Sequence, residues 1–383
     1  MTYCKRCVLP NTRPGLVLAE DGVCNACHYA WRKQHEINWH ERAQEFRTLV
    51  AQVKEKRRPY DCVIPVSGGK DSFWQVLTCL EWGLRPLAVT WKPSVRTPIG
   101  VRNLGALINL GIDHIDFRVN PHVERRFMLR SFIDKGTPAV PMHLAMFNIS
   151  LNVALAHNVP LMVWGENSSE EYGAASEQFA GKTMDESWLK TFNTRGTSAA
   201  DWVSETLTRA ELEPYFGPSA EAVAKSGLVA VFLGHYFPWD PQYSRQVAEA
   251  RGFTKNAGNP LTGFYDFADL DDTTVAVHHW LKWYKFGLTR TFDNLSLEIR
   301  HGRMTRDEAI EIIKDRRDEV PREAIQQFCD YVGITVEGFY AIAEMYRNQG
   351  IWKRIDGEWQ LPGFLIKDWS WHENNRETAS QKI

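Results

Sequence analysis

Tyr60-Asp61-Cys62-Val63-Ile64-Pro65-Val66-Ser67-Gly68-Gly69-Lys70-Asp71-Ser72 reads as a short apolar strand that runs into a glycine turn and then into a helix. The helical pattern continues from Ser72 to Trp82 and stops at Gly83. Pro65 cannot donate to a sheet ladder, but it stands at the end of the run, where the ladder is about to stop. Glycines let backbone N–H groups converge, and the start of the following helix adds partial positive charge. With Lys70 and Ser72 as further donors, the loop suits a phosphate group. A tight turn capped by Asp71 or Ser72 is the plainer alternative. A Walker A loop is excluded, because Ile64 holds the place of its first glycine and Asp71 follows the lysine.

Downstream, strand and helix patterns alternate. Leu87 to Trp91, His114 to Val119 and Leu161 to Trp164 read as strands, and helices are expected near Val101 to Leu110, from Val123 to Phe132 and from Met142 to Ala156. Such alternation predicts an α/β fold with a doubly wound parallel sheet. Ligands of these sheets bind beyond the carboxyl ends of the strands, where Ser67 to Lys70, Thr90 and Gly165 to Asn167 would lie. From Asn167 to Asp240 the pattern breaks into polar and aromatic stretches. The remainder to Asn348 reads as helices with long connections, and Trp371 to Ile383 as a polar surface tail. Upstream, Trp39, Phe46, Leu49 and Val53 recur at helical intervals, which predicts one amphipathic connecting helix from Trp31 to Arg58. Four units are therefore expected: 1–30, 31–58, 59–240 and 241–383.

Of the seven cysteines in the 383 residues, four form two close pairs, Cys4-x-x-Cys7 and Cys24-x-x-Cys27. In a reducing compartment that spacing favours a metal over disulfides. Four sulfurs close a tetrahedral site, so zinc there would be structural, and an iron–sulfur cluster is the alternative that four thiolates also suit. Cys62, Cys79 and Cys329 lie in apolar contexts and read as buried small hydrophobes. The net charge of -2 argues against the broad positive field of a nucleic-acid or membrane-surface protein. With neither an apolar leader nor a run long enough to span a bilayer, a cytoplasmic location is expected.

Two further segments carry polar groups that chemistry could use. Trp164-Gly165-Glu166-Asn167-Ser168-Ser169-Glu170-Glu171-Tyr172-Gly173 follows a strand, where carboxylates and amides can meet ribose, a cation or a polar acceptor. A solvated loop would look the same. Lys285 to Arg303 contains Lys285, Arg290, Glu298 and Arg300. Its cations could clamp phosphates or a carboxylate, or could line an exposed salt-bridged helix.

Ser-Gly-Gly-x-Asp-Ser at 67–72 resembles the motif of the PP-loop ATP pyrophosphatases, whose fold is of the adenine nucleotide alpha hydrolase-like type. More specifically, the chain resembles the N-acetyl sugar amidotransferase family of bacterial surface-polysaccharide pathways. The stretches that carry this likeness are Cys4 to Gly15, Gly22 to Cys27, the glycine loop, Trp164 to Gly173 and Lys285 to Arg306. One departure is Tyr172-Gly173-Ala174, where a second glycine is expected in place of Ala174. The resemblance implies an N-terminal zinc ribbon on Cys4, Cys7, Cys24 and Cys27. It also implies ATP bound by Ser67, Gly68, Gly69, Lys70, Asp71, Ser72, Thr90 and Gly165, with Mg²⁺ as charge neutraliser. Lys70 and Asp71 would be catalytic, Asp71 either contacting that ion or capping the helix. Glu166, Asn167, Ser168, Glu171, Tyr172, Lys285, Arg290, Glu298 and Arg300 would meet the substrate, a nucleotide-linked N-acetyl sugar such as a UDP-linked diacetamido uronic acid.

The implied reaction is an amidotransfer, in which the sugar's acetamido oxygen is adenylated and then displaced by ammonia. No cysteine here stands in a glycine elbow or at position 2, so a separate glutaminase is the expected ammonia source, and the resemblance implies that a cyclase-like subunit delivers it. A transfer-RNA thiolation enzyme and a non-catalytic zinc-ribbon scaffold are the alternatives.

Overall fold

A computed structural model describes residues 1–173, 183 and 196–371 of the chain. Ala174 and nearly all of the expected polar tail lie outside the described residues. Two helices, α1 (Asn25–His35) and α2 (Trp39–Glu55), lead into the sheet. One continuous helix was expected over 31–58. It is interrupted because Asn38 leaves helical geometry and caps α2, its side chain accepting from the His40 and Glu41 N–H groups.

Five parallel strands follow among the described residues: β1 (Cys62–Pro65), β2 (Pro86–Trp91), β3 (Asp113–Phe117), β4 (Leu161–Trp164) and β5 (Val229–Phe232), in the spatial order β3-β2-β1-β4-β5. They are linked by α3 (Lys70–Glu81), α4 (Pro98–Ile108), α5 (Pro121–Lys135), α6 (Val140–Ala156), α7 (Ser168–Tyr172) and α8 (Ala220–Ser226). Period-two alternation explains the layering. Cys62 and Ile64 pack on one face with Phe73 of α3 and Leu104 of α4, while Val63 faces Phe127 of α5 and Leu144 of α6 on the other. Both faces are thus covered, which is why the central strands β1 and β4 read as continuous apolar runs, whereas the edge strand β3 carries Asp113, His114 and Asp116 and is partly exposed. The chain moves outward from β1 to β3 and then returns to place β4 on the opposite side of β1. The crevice beyond the carboxyl ends of β1 and β4 is consequently the switch point of the sheet, the usual ligand site of such folds.

The rest is helical: α9 (Leu233–Tyr236), α10 (Pro241–Glu249), α11 (Thr274–Phe286), α12 (Arg290–Arg300), α13 (Arg306–Arg316), α14 (Arg322–Val332) and α15 (Val336–Met345), followed by the antiparallel pair β6 (Lys353–Ile355) and β7 (Glu358–Gln360). Tyr265, Phe267, Leu270 and Leu297 enter the same apolar core as β1 and α3. The four paired cysteines share a core with Trp280, Leu281, Phe292 and Leu295 of α11 and α12. The N-terminal module is therefore packed into the C-terminal helices. Among the described residues, no helix is long and apolar enough to cross a membrane.

Candidate active site and metal centre

At the end of β1 the chain turns through Gly68, whose φ of +86 favours glycine, and an added Cβ would stand 2.6 Å from the Leu104 backbone nitrogen. The loop is closed from within. Ser67 N–H donates to Ser72 Oγ at 3.0 Å, and Gly69 N–H donates to Ser67 Oγ at 3.2 Å. Neither Asp71 nor Ser72 caps α3, since its N-cap is Gly69 and no side chain bonds there. Asp71 instead accepts from Lys70 Nζ at 2.5 Å and from Trp239 Nε1 at 2.9 Å. The Lys70 ammonium also lies 5.9 Å from the centres of both the Trp239 and Phe267 rings. Two aromatic faces and one carboxylate thus fix this cation at the helix start.

Opposite the loop opens a cavity of about 200 Å³. Ser67 to Asp71 form one wall, Glu166 and Tyr172 from beyond β4 a second, and Tyr265, Asp269, Asp271, Arg290 and Asn294 a third. Its electrostatics are unbalanced. Burial, reinforced by the Asp71 charge and opposed by Lys70, pushes the Glu166 carboxyl up to about 7. Burial and the neighbouring Asp272 likewise push Asp271 up to about 7. Asp269 is the contrary case: burial works against its charge, but Arg290 and His279 outweigh that and hold its carboxyl well below the usual range. Arg290 Nε stands 3.2 Å from Asp269 Oδ2.

The structure divides the residues singled out from sequence. Ser67, Gly68, Gly69, Lys70, Asp71, Glu166, Tyr172 and Arg290 line this cavity. Ser72 supports it from behind through its bond to Ser67. Thr90 does not reach it, because its hydroxyl donates to Val66 O at 2.8 Å inside the sheet. Gly165 gives the space that Gln75 occupies, an added Cβ lying 2.8 Å from Gln75 Nε2. Asn167 caps α7, its Oδ1 accepting from Ser169 N–H and Oγ at 3.0 and 2.7 Å, and Ser168 is the first residue of that helix. Lys285 lies elsewhere, buried with Nζ donating to Gly136 O at 2.7 Å. Glu298 accepts from Tyr265 Oη and from Arg303.

Glu171 and Arg300 face a second, larger cavity of about 680 Å³ on the α1 side, which meets the first at Trp239 and Leu297. Sequence reasoning missed Trp239, Tyr265, Asp269, Asp271 and Asn294. Asn294 lies in the Lys285 to Arg306 stretch without having been singled out there, the other four belong to no spaced motif, and only the packing of 239–297 over the end of the sheet brings them together.

The cysteine cluster is of another kind. All four sulfurs are buried and lie within 4.8 Å of one another. The Cys4–Cys27 and Cys7–Cys24 sulfur separations are 4.0 and 3.8 Å, against an edge of about 3.8 Å for a tetrahedron with zinc–sulfur bonds of about 2.3 Å. The residues present therefore fit zinc, which would cross-link the two knuckles and, with its coordination closed, supply no reaction chemistry. Among the described residues, no other set of three or more histidine, cysteine or carboxylate side chains stands close enough to hold a metal. Cys62, Cys79 and Cys329 are all fully buried.

A family model described as LPS biosynthesis protein WbpG-like, C-terminal domain, matches residues 259–364. That stretch supplies the third wall of the cavity beyond β1. No curated protein matches the chain. Among solved structures, that of NMN synthetase from Francisella tularensis is similar at 16% identity, with a TM-score of 0.26, over 50% of this chain and 92% of that one.

Proposed function

We propose that the chain is a cytoplasmic ATP-dependent amidotransferase of surface-polysaccharide biosynthesis, such as that of O-antigen, which converts the acetamido group of a nucleotide-linked N-acetyl sugar into an acetamidino group, with AMP and pyrophosphate as the other products. One observation carries this reading: a single cavity joins the anion-suited glycine loop to residues of the stretch that matches a WbpG-like C-terminal domain. The glycine loop supports ATP, and the matched stretch supports a polysaccharide precursor as the second substrate.

The chemistry follows from the weakness of an amide as an electrophile. Its oxygen is a poor leaving group, so the carbonyl oxygen first attacks the α-phosphorus of ATP and pyrophosphate departs. The resulting O-adenylyl imidate is attacked by ammonia at carbon. AMP then leaves with the original amide oxygen, and the nitrogen sheds its surplus protons to give the amidine. Lys70, held beside the N-terminus of α3, would stabilise charge developing on the departing pyrophosphate. Asp71, with phosphate oxygens, would hold Mg²⁺, which usually takes one or two carboxylates and completes its shell from the nucleotide and water. Glu166, whose carboxyl is pushed up to about 7, is suited to accept a proton from the attacking nitrogen. A separate glutaminase with a cyclase-like subunit would supply the ammonia.

The burial of Cys62, Cys79 and Cys329 weighs against thiolation, which needs a reachable sulfur carrier. Purified protein given Mg-ATP, ammonium and candidate UDP-diacetamido sugars should form amidine and AMP in equal amounts. Glutamine in place of ammonium should be inert until the partner is added. Turnover of ATP with transfer RNA and not with any such sugar would overturn the assignment.

A further inference from the structure

Arg300 ends α12, three helical turns from the cavity-lining Arg290, and it is 3% exposed. A guanidinium that deep needs both hydrogen-bond acceptors and a compensating charge, because an uncompensated buried cation is among the costliest defects in a fold. Its acceptors are unusual. Nε stands 3.5 Å from Cys27 Sγ, and Nη2 stands 3.8 Å from Cys7 Sγ and 4.0 Å from Cys24 Sγ. Nη1 donates to the carbonyl oxygen of Glu171 at 2.7 Å. The Glu171 carboxylate is not its counter-charge, since it pairs with Lys33 of α1. The negative charge facing Arg300 is that of the cysteine sulfurs.

The fourth sulfur is served differently. Cys4 Sγ accepts from the backbone N–H groups of Arg6, Cys7 and Cys24 at 3.4, 3.4 and 3.2 Å. Donors to the cluster are thus divided, with main chain around Cys4 and one C-terminal side chain around the other three. Four thiolates around one divalent ion leave excess negative charge in a buried place, and the arginine answers it.

We propose that Arg300 is an outer partner of the metal–thiolate cluster, and that it ties metal occupancy to the wall of the reaction cavity. Arg300 is a positioning residue and does not touch substrate. Through Nη1 it holds the end of α7, whose next residue, Tyr172, lines the cavity, and its own helix carries Arg290 and Asn294 on the same cavity. A second strut runs parallel to it. Arg13, in the loop between the knuckles, bonds Asp293 Oδ1 at 2.7 Å and Tyr172 O at 2.9 Å. When the metal leaves, the cysteines lose their fixed anionic arrangement, Arg300 loses its counter-charge, and α7 and α12 lose a common anchor. The N-terminal module is in this sense part of the catalytic unit. The proposal rests on the metal site and is independent of which sugar, or which reaction, the cavity serves.

The test uses the full-length metal-loaded protein and the variants Arg300→Met, Arg300→Lys and, as a control, Arg306→Met. Arg306 also reaches this module, but through the Cys7 carbonyl oxygen at 3.1 Å and not through sulfur. Arg300→Met should release zinc to a chromophoric chelator at least about tenfold faster, in line with the loss on removing an outer partner. Arg300→Lys keeps the charge without the planar fork and should fall between it and wild type. In the cobalt-substituted proteins, the sulfur-to-cobalt charge-transfer bands should move to lower energy in both Arg300 variants, because sulfurs stripped of donors are easier to oxidise. Those of Arg306→Met should stay in place. Hydrogen exchange should quicken at 168–173 in Arg300→Met. If Arg300→Met cannot be obtained folded, the cobalt spectrum of Arg300→Lys still decides. Wild-type zinc release and cobalt spectra in the Arg300 variants, or purified wild-type protein without bound metal, would overturn the proposal.

Discussion

The cysteine cluster and the cavity beyond β1 are both assembled from segments far apart in the chain, and both gather groups that repel one another when charged. They resolve the conflict in opposite ways. Every cluster sulfur has a donor, the sulfurs are fully buried, and their spacing already suits an ion. In the cavity, Glu166 and Asp271 are left with carboxyls pushed up to about 7, and among the described residues neither belongs to a group of three or more side chains close enough to hold a metal. A site whose charges are closed by a resident metal and a fixed set of protein donors is structural. A site that leaves charge unsatisfied gains something when a ligand arrives, and perturbed carboxyls in a crevice are a mark of function.

This contrast can be broken most forcefully at Lys70. Lys70→Ala should cut AMP formation by at least about 10²-fold, the usual cost of losing a group that stabilises developing charge, with the circular dichroism spectrum unchanged. Full AMP formation would show that the cavity owes nothing to its fixed cation. On the other side of the contrast, Cys24→Ser should abolish stoichiometric zinc and lower Tm by roughly 5–10 °C, since metal binding energy is folding energy. Zinc retained at wild-type stability would move the metal away from these four residues.

Lys285 and Arg290 were both candidates for meeting the substrate, and the structure separates them. Lys285→Ala should cost about 1.5–3 kcal/mol of stability through the lost charged bond to Gly136 O, and leave KM unchanged. A raised KM at unchanged stability would return Lys285 to the site. A further test concerns Glu166. Its folded-state carboxyl is raised above the unfolded value of about 4.3, so its contribution to stability is fully present below that value and is lost as pH rises through about 7. Glu166→Gln should therefore gain Tm relative to wild type between pH 5 and pH 8, and parallel curves would refute the shift.

Much of this was legible beforehand. The Cys62 to Ser72 stretch announced itself because strand, glycine turn and helix differ in period, and the cysteine pairs because metal ligation demands fixed spacing. β5 was missed, because Val229 to Phe232 is four residues long and runs straight into α9 without a helical repeat to mark the change. The third wall of the cavity was illegible for a different reason. Asp269 and Asp271 sit in a connection, and only the insertion of Tyr265, Phe267 and Leu270 into the core against α3 turns that connection toward the glycine loop. Arg300 was visible as a cation but not as a partner of sulfur, since nothing in local sequence relates position 300 to positions 7, 24 and 27.

The central claim is that the amide oxygen of the sugar is the group adenylated in the cavity beyond β1. It is tested most directly by supplying an N-acetyl nucleotide sugar whose acetamido carbonyl carries ¹⁸O, with Mg-ATP and ammonium, and weighing the nucleotide products. Pyrophosphate and AMP are expected in step with amidine, with the heavy oxygen in the phosphate of AMP. Amidine formed with ADP and inorganic phosphate, or with AMP free of the label, would contradict it.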